Sequence, residues 1–570
     1  MGRRRLQVLF GLLLLGPLGE GCEKPAAIAA PGDLPLRPNI LLLVAEDMSP
    51  RVGAFGDRVA QTPNLDRLAV QGVRYSHTFT TAGVCAPSRA SLLTGMHAIS
   101  VGGQHMRTSS RPGGGYVAVP PPSVKAFPEL LRRAGYYTFT DSKLDYQFSG
   151  IGAGSGPSTV WDAEGEDLPW RSKEGVPRPF FGLINFQVTH ETGVFTPLGG
   201  GWPRSLMHFA VQLGRAWLMG IPDPEHPVRS ADVEVPPYWP DTEVVRSDLA
   251  RHYNNVFQMD MEVGGILEEL EANGLAESTI VVWTTDHGDG LPRAKRELYD
   301  SGLKVPMIIR WPERFRPAGV APGSVDEALI SFVDLAPTIL AWAAEEPPAH
   351  MHGMNFSAPD AKPRTYVYAS RDRIDDFEDR ERAIRDREYK YIRSWYPDKP
   401  TGHRLAFRDN LEMMKEMWAL LDAGKLNSDQ RRWFEPTGRE RLYHLPTDPF
   451  ELRNLADDPS HAEELTRMRR TYEAFSERVA DWSEEKEAAM VERMWPGGKQ
   501  PRTAAPAIEW SSDLIRLRST TPGASIAYWV DEGAERIYTA PFAAESSSRI
   551  TARAVRYGYR ESEEISKTLP

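Results

Sequence analysis

Apolar positions in this chain fall into short unbroken runs separated by segments of helical spacing. Ile40–Ala45 is continuously apolar, the pattern of a strand buried on both faces. In Pro63–Gly72 the residues Leu65, Leu68 and Ala69 share one side and Gly72 is a stop, which predicts a helix. Pro128–Gly135 repeats that pattern and leads into the short run Tyr136–Thr140. Phe180–Val188, Thr279–Thr285 and Val305–Trp311 are further strand candidates. Asp248–Gly274 predicts a long helix ended by Asn273-Gly274, and Phe332–Ala344 a second helix. Strands alternating with helices predict an α/β architecture with a mostly parallel sheet covered on both faces. Ligands of such sheets gather at the carboxyl ends of the strands. The polar residues that follow the apolar runs are therefore the candidates: Glu46-Asp47, Lys143 with Asp145, His190, and Asp286-His287.

The pattern changes beyond 345. Residues 346–495 are rich in Arg, Asp, Glu, Trp and Tyr and predict a smaller α+β subdomain with a strand at Tyr389–Ser394. Within it Arg371–Arg393 is a dense mixed-charge run, for which a solvated face is the default. His350 and His352 form an H-x-H pair expected at the surface. Residues 496–510 read as a linker, and 511–570 as a small β module with strands at Ile526–Val530, Ile537–Thr539 and Ile550–Val555. A chain of 570 residues exceeds one ordinary core, in keeping with this division.

The first residues predict export. Arg3, Arg4 and Arg5 precede the apolar run Leu6–Leu18, which is short against the roughly 20 residues of a membrane span. Small residues then precede Cys22, so 1–22 resembles a lipoprotein signal with a lipid anchor at Cys22, and 23–36 a tether. The expected location is periplasmic, on the outer membrane or cell surface, or secreted. The net charge of −11 disfavours a phosphate backbone as partner, so no nucleic acid is expected. There are two cysteines; if Cys22 and Cys85 each have their own processing fate, no disulfide remains.

The sharpest signal is Cys85-Ala86-Pro87-Ser88-Arg89, continued by Ala90-Ser91-Leu92-Leu93-Thr94-Gly95. This run resembles the signature of the formylglycine-dependent type I sulfatases. The resemblance extends over about 37–459: Pro38-Asn39-Ile40 to Asp47 is similar to the family's opening strand and acidic pair, Asp286-His287-Gly288 to its second metal-binding pair, and Leu442–Leu455 to its C-terminal signature. It implies an alkaline-phosphatase-like catalytic domain over 37–345, with 346–495 as the family's C-terminal subdomain. It also implies that a maturation enzyme oxidises Cys85 to formylglycine, whose hydrated form attacks sulfur with one hydroxyl and expels sulfate through the other. Glu46, Asp47, Asp286 and His287, with residue 85, are implied as metal ligands, and Arg89, Lys143, His190 and Lys295 as catalytic side chains. Lys143, His190, Lys295 and Asp145 are the substrate-binding candidates. Three carboxylates suit a hard cation such as Ca²⁺.

The chain departs from the family's pattern at three places. Glu46 stands where Asp is usual, His287 where Asn is common, and Asp145 where many members carry His. The imidazole at 287 leaves Mg²⁺, Mn²⁺ or Zn²⁺ open beside Ca²⁺. Val235–Tyr238, Arg246–Asn273 and the spacing from Asp286 to Tyr299 resemble the heparan N-sulfatase branch, which implies a sulfated saccharide or small sulfated substrate, as O-sulfate or N-sulfate. The alternatives are a phosphonate or phosphodiester hydrolase of the same fold, and a non-catalytic glycan-binding surface protein. The 511–570 module resembles the fibronectin-III-like domain of some chitobiases, which implies a spacer or a glycan contact.

Overall fold

A computed structural model describes residues 37–570, apart from 109–110, 112–113, 142, 166–178, 196–226 and 512–513. The predicted signal, the tether and Cys22 lie outside the described residues. Among the described residues no helix is long and apolar enough to cross a membrane.

Among the described residues nine strands form the main sheet: β1 (Asn39–Ala45), β2 (Val73–Phe79), β3 (Tyr137–Thr140), β4 (Ala163–Glu164), β5 (Phe180–Phe186), β6 (Thr279–Thr285), β7 (Lys304–Arg310), β8 (Val325–Asp326) and β9 (Ile330–Ser331). Their order is β4-β3-β5-β1-β6-β7-β2-β8, with β9 also on β2. β4, β3, β5, β1 and β6 run parallel, and β7 alone is antiparallel to its neighbours β6 and β2. β1 sits between β5 and β6 and is buried throughout, which is why it reads as an unbroken apolar run. Leu41 and Leu43 face a core shared with Leu65, Leu68, Met259 and Val263. Ile40, Leu42 and Val44 face the other core, with Leu92, Phe127, Leu131 and Ile339. The apolar pattern missed β2, whose sequence VRYSHTF buries only alternate positions at its start.

The long helix runs Glu243–Ala272 and so starts before the predicted Asp248; Thr242 caps it, accepting the Val245 N–H at 3.4 Å. Polar residues lie on its buried face. Asp260 accepts the N–H groups of Asn64 and Leu65 at 3.0 and 2.8 Å, satisfying the first turn of the helix Pro63–Gln71.

A second, antiparallel sheet orders β10 (Val367–Arg371), β11 (Glu381–Arg385), β12 (Tyr389–Ser394) and β13 (Glu440–His444) in sequence. The helix Ala462–Ser476 covers one face through Leu465, Met468 and Tyr472 on Ile384, Tyr391 and Leu442. The mixed-charge run is not a solvated face. Arg371, Glu381, Arg382 and Lys390 are buried, and each carries an opposite charge: Lys390 lies 2.6 Å from Asp300 and 2.7 Å from Glu451, and Arg382 lies 3.0 Å from Asp372 and 2.9 Å from Asp481. Pairing offsets the cost of taking these charges out of water. His352 accepts the His97 N–H at 3.1 Å and stacks on its ring, so the H-x-H pair is half-buried rather than exposed.

Arg382→Met is expected to destabilise the protein by about 3 kcal/mol, because Asp372 loses its cation and Asp481 keeps only Arg380. Burial raises the Asp481 pKa, but Arg382 and Arg380 outweigh it and hold the group at about 2. A carboxylate depressed on folding contributes stability above its unfolded value that is lost as pH falls through the folded one. Denaturant unfolding between pH 5 and pH 2 checks this: the decline below about pH 4 should be shallower in Asp481→Asn than in the wild type.

The chain ends in two antiparallel sheets, the hairpin β14 (Ala507–Ser511) and β15 (Leu514–Arg518), and the sheet β17-β16-β18-β19 built from β16 (Ser525–Val530), β17 (Arg536–Ile537), β18 (Arg549–Val555) and β19 (Ile565–Thr568). They share one core of Ile515, Leu517, Ile526, Tyr528, Ile550 and Ala552. The stretch read as a linker is bound to this unit. Thr503 is buried with its N–H on Arg560 O at 2.9 Å, and β14 starts at Ala507. Backbone hydrogen bonds hold it, which side-chain composition does not reveal.

Candidate active site

The carboxyl ends of β1, β3, β5 and β6 lie on one edge of the sheet, and reversed β7 returns its amino end to the same edge. Glu46 and Asp47 leave β1, Lys143 follows β3, His190 follows β5 through the turn Gln187–Thr189, and Asp286 and His287 leave β6. Lys295 lies in the segment leading to β7. Cys85 is the first residue of the helix Cys85–Thr94, where unpaired N–H groups favour an anion. Its approach depends on Gly83: a Cβ there would lie 2.4 Å from Glu297 O, and Gly83 O accepts the Arg296 N–H at 2.6 Å. That contact ties the Cys85 turn to the segment carrying Lys295.

The ten candidates converge to different degrees. Cys85 Sγ lies 3.4 Å from His287 Nε2 and 3.9 Å from Asp47 Oδ1. His287 Nε2 is 3.0 Å from Asp47 Oδ1 and 3.7 Å from Asp286 Oδ1. Ligand atoms of Asp47, Cys85, Asp286 and His287 lie within 4.8 Å of one another, as do those of Glu46, Asp47, Cys85 and His190. Lys143 Nζ contacts Glu46 Oε2 at 2.8 Å, and Lys295 Nζ contacts Asp47 Oδ2 at 2.5 Å and His190 Nε2 at 3.1 Å. Arg89 donates from Nε to Asp286 Oδ2 at 3.1 Å and from a terminal nitrogen to Asn185. Asp145 stands apart from the ligand groups. It is buried, its Oδ2 accepts no hydrogen bond, and Arg107 is 3.8 Å away.

The charges fix one another. Burial raises the Asp47 pKa, but Lys295, His190 and His287 outweigh it and hold the group well below the usual carboxylate range. Asp286 is lowered against burial by His287 and Arg89. Glu46 goes the other way, because burial exceeds the pull of Lys143 and Arg89. Burial, with Lys295 beside it, pushes the His190 pKa down to about 3. That ring is neutral; Lys295 Nζ lies 3.1 Å from Nε2, and Nδ1 lies 2.9 Å from Thr192 Oγ1 and 3.4 Å from the Thr192 N–H.

His287 tests whether a cation fits. Its Nδ1 is 2.9 Å from Gly288 O, so Nδ1 carries a proton and Nε2 faces Asp47, Asp286 and Cys85. A neutral ring would aim a lone pair at two carboxylates. Only a positive charge at that point, a proton or a metal ion, satisfies the arrangement, and accordingly the two carboxylates raise the His287 pKa well above 6.5 against burial. Glu46 Oε1 and the Arg89 Nη2 nitrogen, 3.8 Å apart, have no hydrogen-bond partner. The donor set of three carboxylates and one imidazole fits a divalent cation.

Several residues here carried no separate sequence signal. Glu191 donates its N–H to Asp47 Oδ2 at 2.7 Å, and its carboxylate takes a two-point bond from Arg296 at 2.7 and 3.0 Å. Ser88 donates to Asp286 O at 2.5 Å, and Asp289 receives Arg51 at 2.7 Å. Glu191 and Arg296 directly follow His190 and Lys295, so adjacency was the available clue. Asp47, Asp145 and Arg296 are non-glycine residues at φ 52°, 36° and 78°, a clustering of backbone strain common at functional sites.

The sulfatase family profile matches residues 38–345, which contain this entire constellation. The chain belongs to the sulfatase family. A second profile, N-sulphoglucosamine sulphohydrolase, C-terminal, matches residues 293–420 of this sulfatase. An ulvan-active sulfatase of Formosa agariphila is 37% identical over 556 residues, covering 93% of this chain and 91% of the relative. The human N-sulphoglucosamine sulphohydrolase is 28% identical, covering 76% of this chain and 88% of its own. A solved 2-O GAG sulfatase structure superposes with a TM-score of 0.56 at 19% identity, covering 79% of this chain and 94% of that one. That likeness establishes the alkaline-phosphatase-like fold, with its mostly parallel sheet.

Proposed function

We propose that this sulfatase removes sulfate, as an O-sulfate or N-sulfate, from a sulfated saccharide, using a formylglycine made from Cys85 and a divalent cation, Ca²⁺ first among the candidates. The observation that carries the reading is the placement of Cys85 Sγ, 3.4 Å from His287 and 3.9 Å from Asp47, among Arg89, Lys143, His190 and Lys295. The saccharide is supported by the relatives, one ulvan-active and one acting on N-sulphoglucosamine.

A cation held by Glu46, Asp47, Asp286 and His287 would polarise a sulfuryl oxygen, and formylglycine at 85 would supply the attacking hydroxyl. The chain's own side chains do the rest. Arg89 braces Asp286 and is itself held by Asn185, so a proposed ligand of the cation keeps its orientation. Lys143 and Lys295 keep their protons, since Glu46 and Asp47 raise their pKa values against burial. They offset charge that builds on the sulfate oxygens. Lys295 Nζ also donates to neutral His190 Nε2, which holds the two side chains together at the sulfate site. Asp145, with an oxygen free of hydrogen bonds, reads a hydroxyl or amine of the substrate.

The Arg3–Arg5 start and the Leu6–Leu18 run support export, with a lipid anchor at Cys22 as its form. Export would put the site where external polysaccharide is met, after a maturation enzyme has acted at residue 85.

Peptide mass analysis of protein made beside a formylglycine-generating enzyme tests the reading. The peptide containing residue 85 should be about 18 Da lighter than its cysteine form. Matured protein should release sulfate from a panel of sulfated saccharides faster than it cleaves a phosphodiester. An unmodified Cys85 in active protein, or preference for the phosphodiester, would overturn it.

A further inference from the structure

We infer that the C-terminal β unit positions Lys143 of the sulfate site, with Tyr557 as the positioning residue; the inference rests on the reading that Lys143 works at that site. Lys143 opens a tight loop in which Leu144 N–H bonds Ile151 O at 2.8 Å and Asp145 N–H bonds Gly150 O at 3.1 Å. Asp145 and Gln147 in this loop both take left-handed backbone angles, at φ 36° and 66°. Non-glycine residues keep such angles only where surrounding structure holds them.

Much of that hold comes from the far end of the chain. Tyr557, in the turn after β18, is fully buried in the same core as β1, β5 and β6, with Leu144, Tyr146 and Phe148. Its ring stacks on Phe148, centroids 5.0 Å apart and planes 11° from parallel. Its hydroxyl donates to Glu129 Oε2 at 2.8 Å. Glu129, on the helix Phe127–Arg133, is itself fully buried and also takes Ser525 at 2.5 Å, Thr159 at 2.7 Å and Arg133 at 2.8 Å. Lys125 Nζ donates to Gly523 O and Ser525 Oγ, both at 2.7 Å.

The same turn grips the other side of the loop. Gln147 O accepts the Ala118 N–H at 2.8 Å. Ala118 O lies against Gly558, where a Cβ would approach to 2.2 Å and where φ is +80°. Arg556 bonds Pro120 O. Two turns of the β unit therefore plug into the catalytic domain: Arg556–Gly558 reaches Phe148 directly and Gln147 through Ala118, and Gly523–Ser525 holds Lys125 and Glu129. A unit docked in this way is part of the wall behind Lys143, neither a tethered spacer nor a separate glycan-binding arm.

The test uses the full-length matured enzyme, assayed on an aryl sulfate well below its unfolding temperature. Tyr557→Ala should lower kcat/KM by about 10- to 100-fold, the scale of a displacement near 1 Å at a reacting group. Tyr557→Phe keeps the stack, loses the hydroxyl's bonds to Glu129 and from the Ala126 N–H, and should restore activity to within about 3-fold. Tyr557→Leu and Phe148→Leu keep the bulk without the stack and should behave as Tyr557→Ala does, which serves if that variant fails to fold. If Tyr557 acts through Lys143, the losses of Tyr557→Ala and Lys143→Arg will not multiply when combined. Activity within 2-fold of wild type in every stack-breaking variant, or losses that multiply fully, would overturn the inference. Unchanged activity in both Lys143→Arg and Lys143→Ala would instead remove the reading of the site beneath it.

Discussion

Cys85→Ala is expected to lower turnover of an aryl sulfate or sulfated saccharide by about 10⁴-fold or more, the loss that accompanies removal of a covalent nucleophile. Stability should change little. The side chain is small, its polar partners are His287 and Asp47, and trimming one sulfur costs about 1 kcal/mol. The carboxylates of Glu46, Asp47 and Asp286 remain paired with Lys143, Lys295 and Arg89, so the variant keeps the site's frame while losing its reacting atom. Initial rates with matured wild type alongside, and urea unfolding of both, check the two halves of the expectation. Wild-type turnover in the alanine variant would remove residue 85 from the chemistry.

Removing divalent cations with a chelator is expected to lower activity by about 10²–10³-fold, the scale of losing one fixed electrostatic stabiliser. It should also lower thermal stability, because a ligand at 100 to 1,000 times its Kd adds about 3–4 kcal/mol to the folded state. Asp47, Asp286 and His287 leave their ligand atoms together in a buried space, so without a cation they depend on a proton at His287 Nε2 for relief. Re-adding Ca²⁺ should restore the melting temperature before any substrate is present, and titration with Mg²⁺, Mn²⁺ and Zn²⁺ ranks the alternatives that an imidazole ligand leaves open. Asp286→Asn should respond to neither chelator nor Ca²⁺. A wild-type melting curve indifferent to both would exclude a bound ion from these three ligands.

Glu46, Asp47, Lys143, Asp145, His190, Asp286 and His287 were legible because each follows an apolar run, whereas Cys85, Arg89 and Lys295 came from the resemblance to sulfatases. A parallel sheet brings such ends to one edge, so the order in the chain translates into a position in space. β7 obscured part of this: it reads as one more buried strand, and only its reversal brings Lys295 and Arg296 back to the edge that holds Asp47 and Glu191. The charged run Arg371–Arg393 misled for the opposite reason. Charge normally signals solvent, yet Arg382 and Lys390 are buried because carboxylates from distant segments, Asp481, Asp300 and Glu451, meet them.

By itself the sequence determined the alternation of strands and helices, the stretch around Cys85, the acidic pair after β1 and Asp286-His287 after β6, and the presence of a β-rich end. These are local properties, written in adjacent side chains and their periodicity. The tertiary structure alone decided which charge meets which. His287 faces Asp47 and not solvent, Glu46 is shared between Lys143 and Arg89, and Tyr557 closes on Phe148 from more than 400 positions away in the chain. Such pairings depend on distances across a packed core, where removal of water makes each charge and hydrogen bond count for more than it does in an open chain.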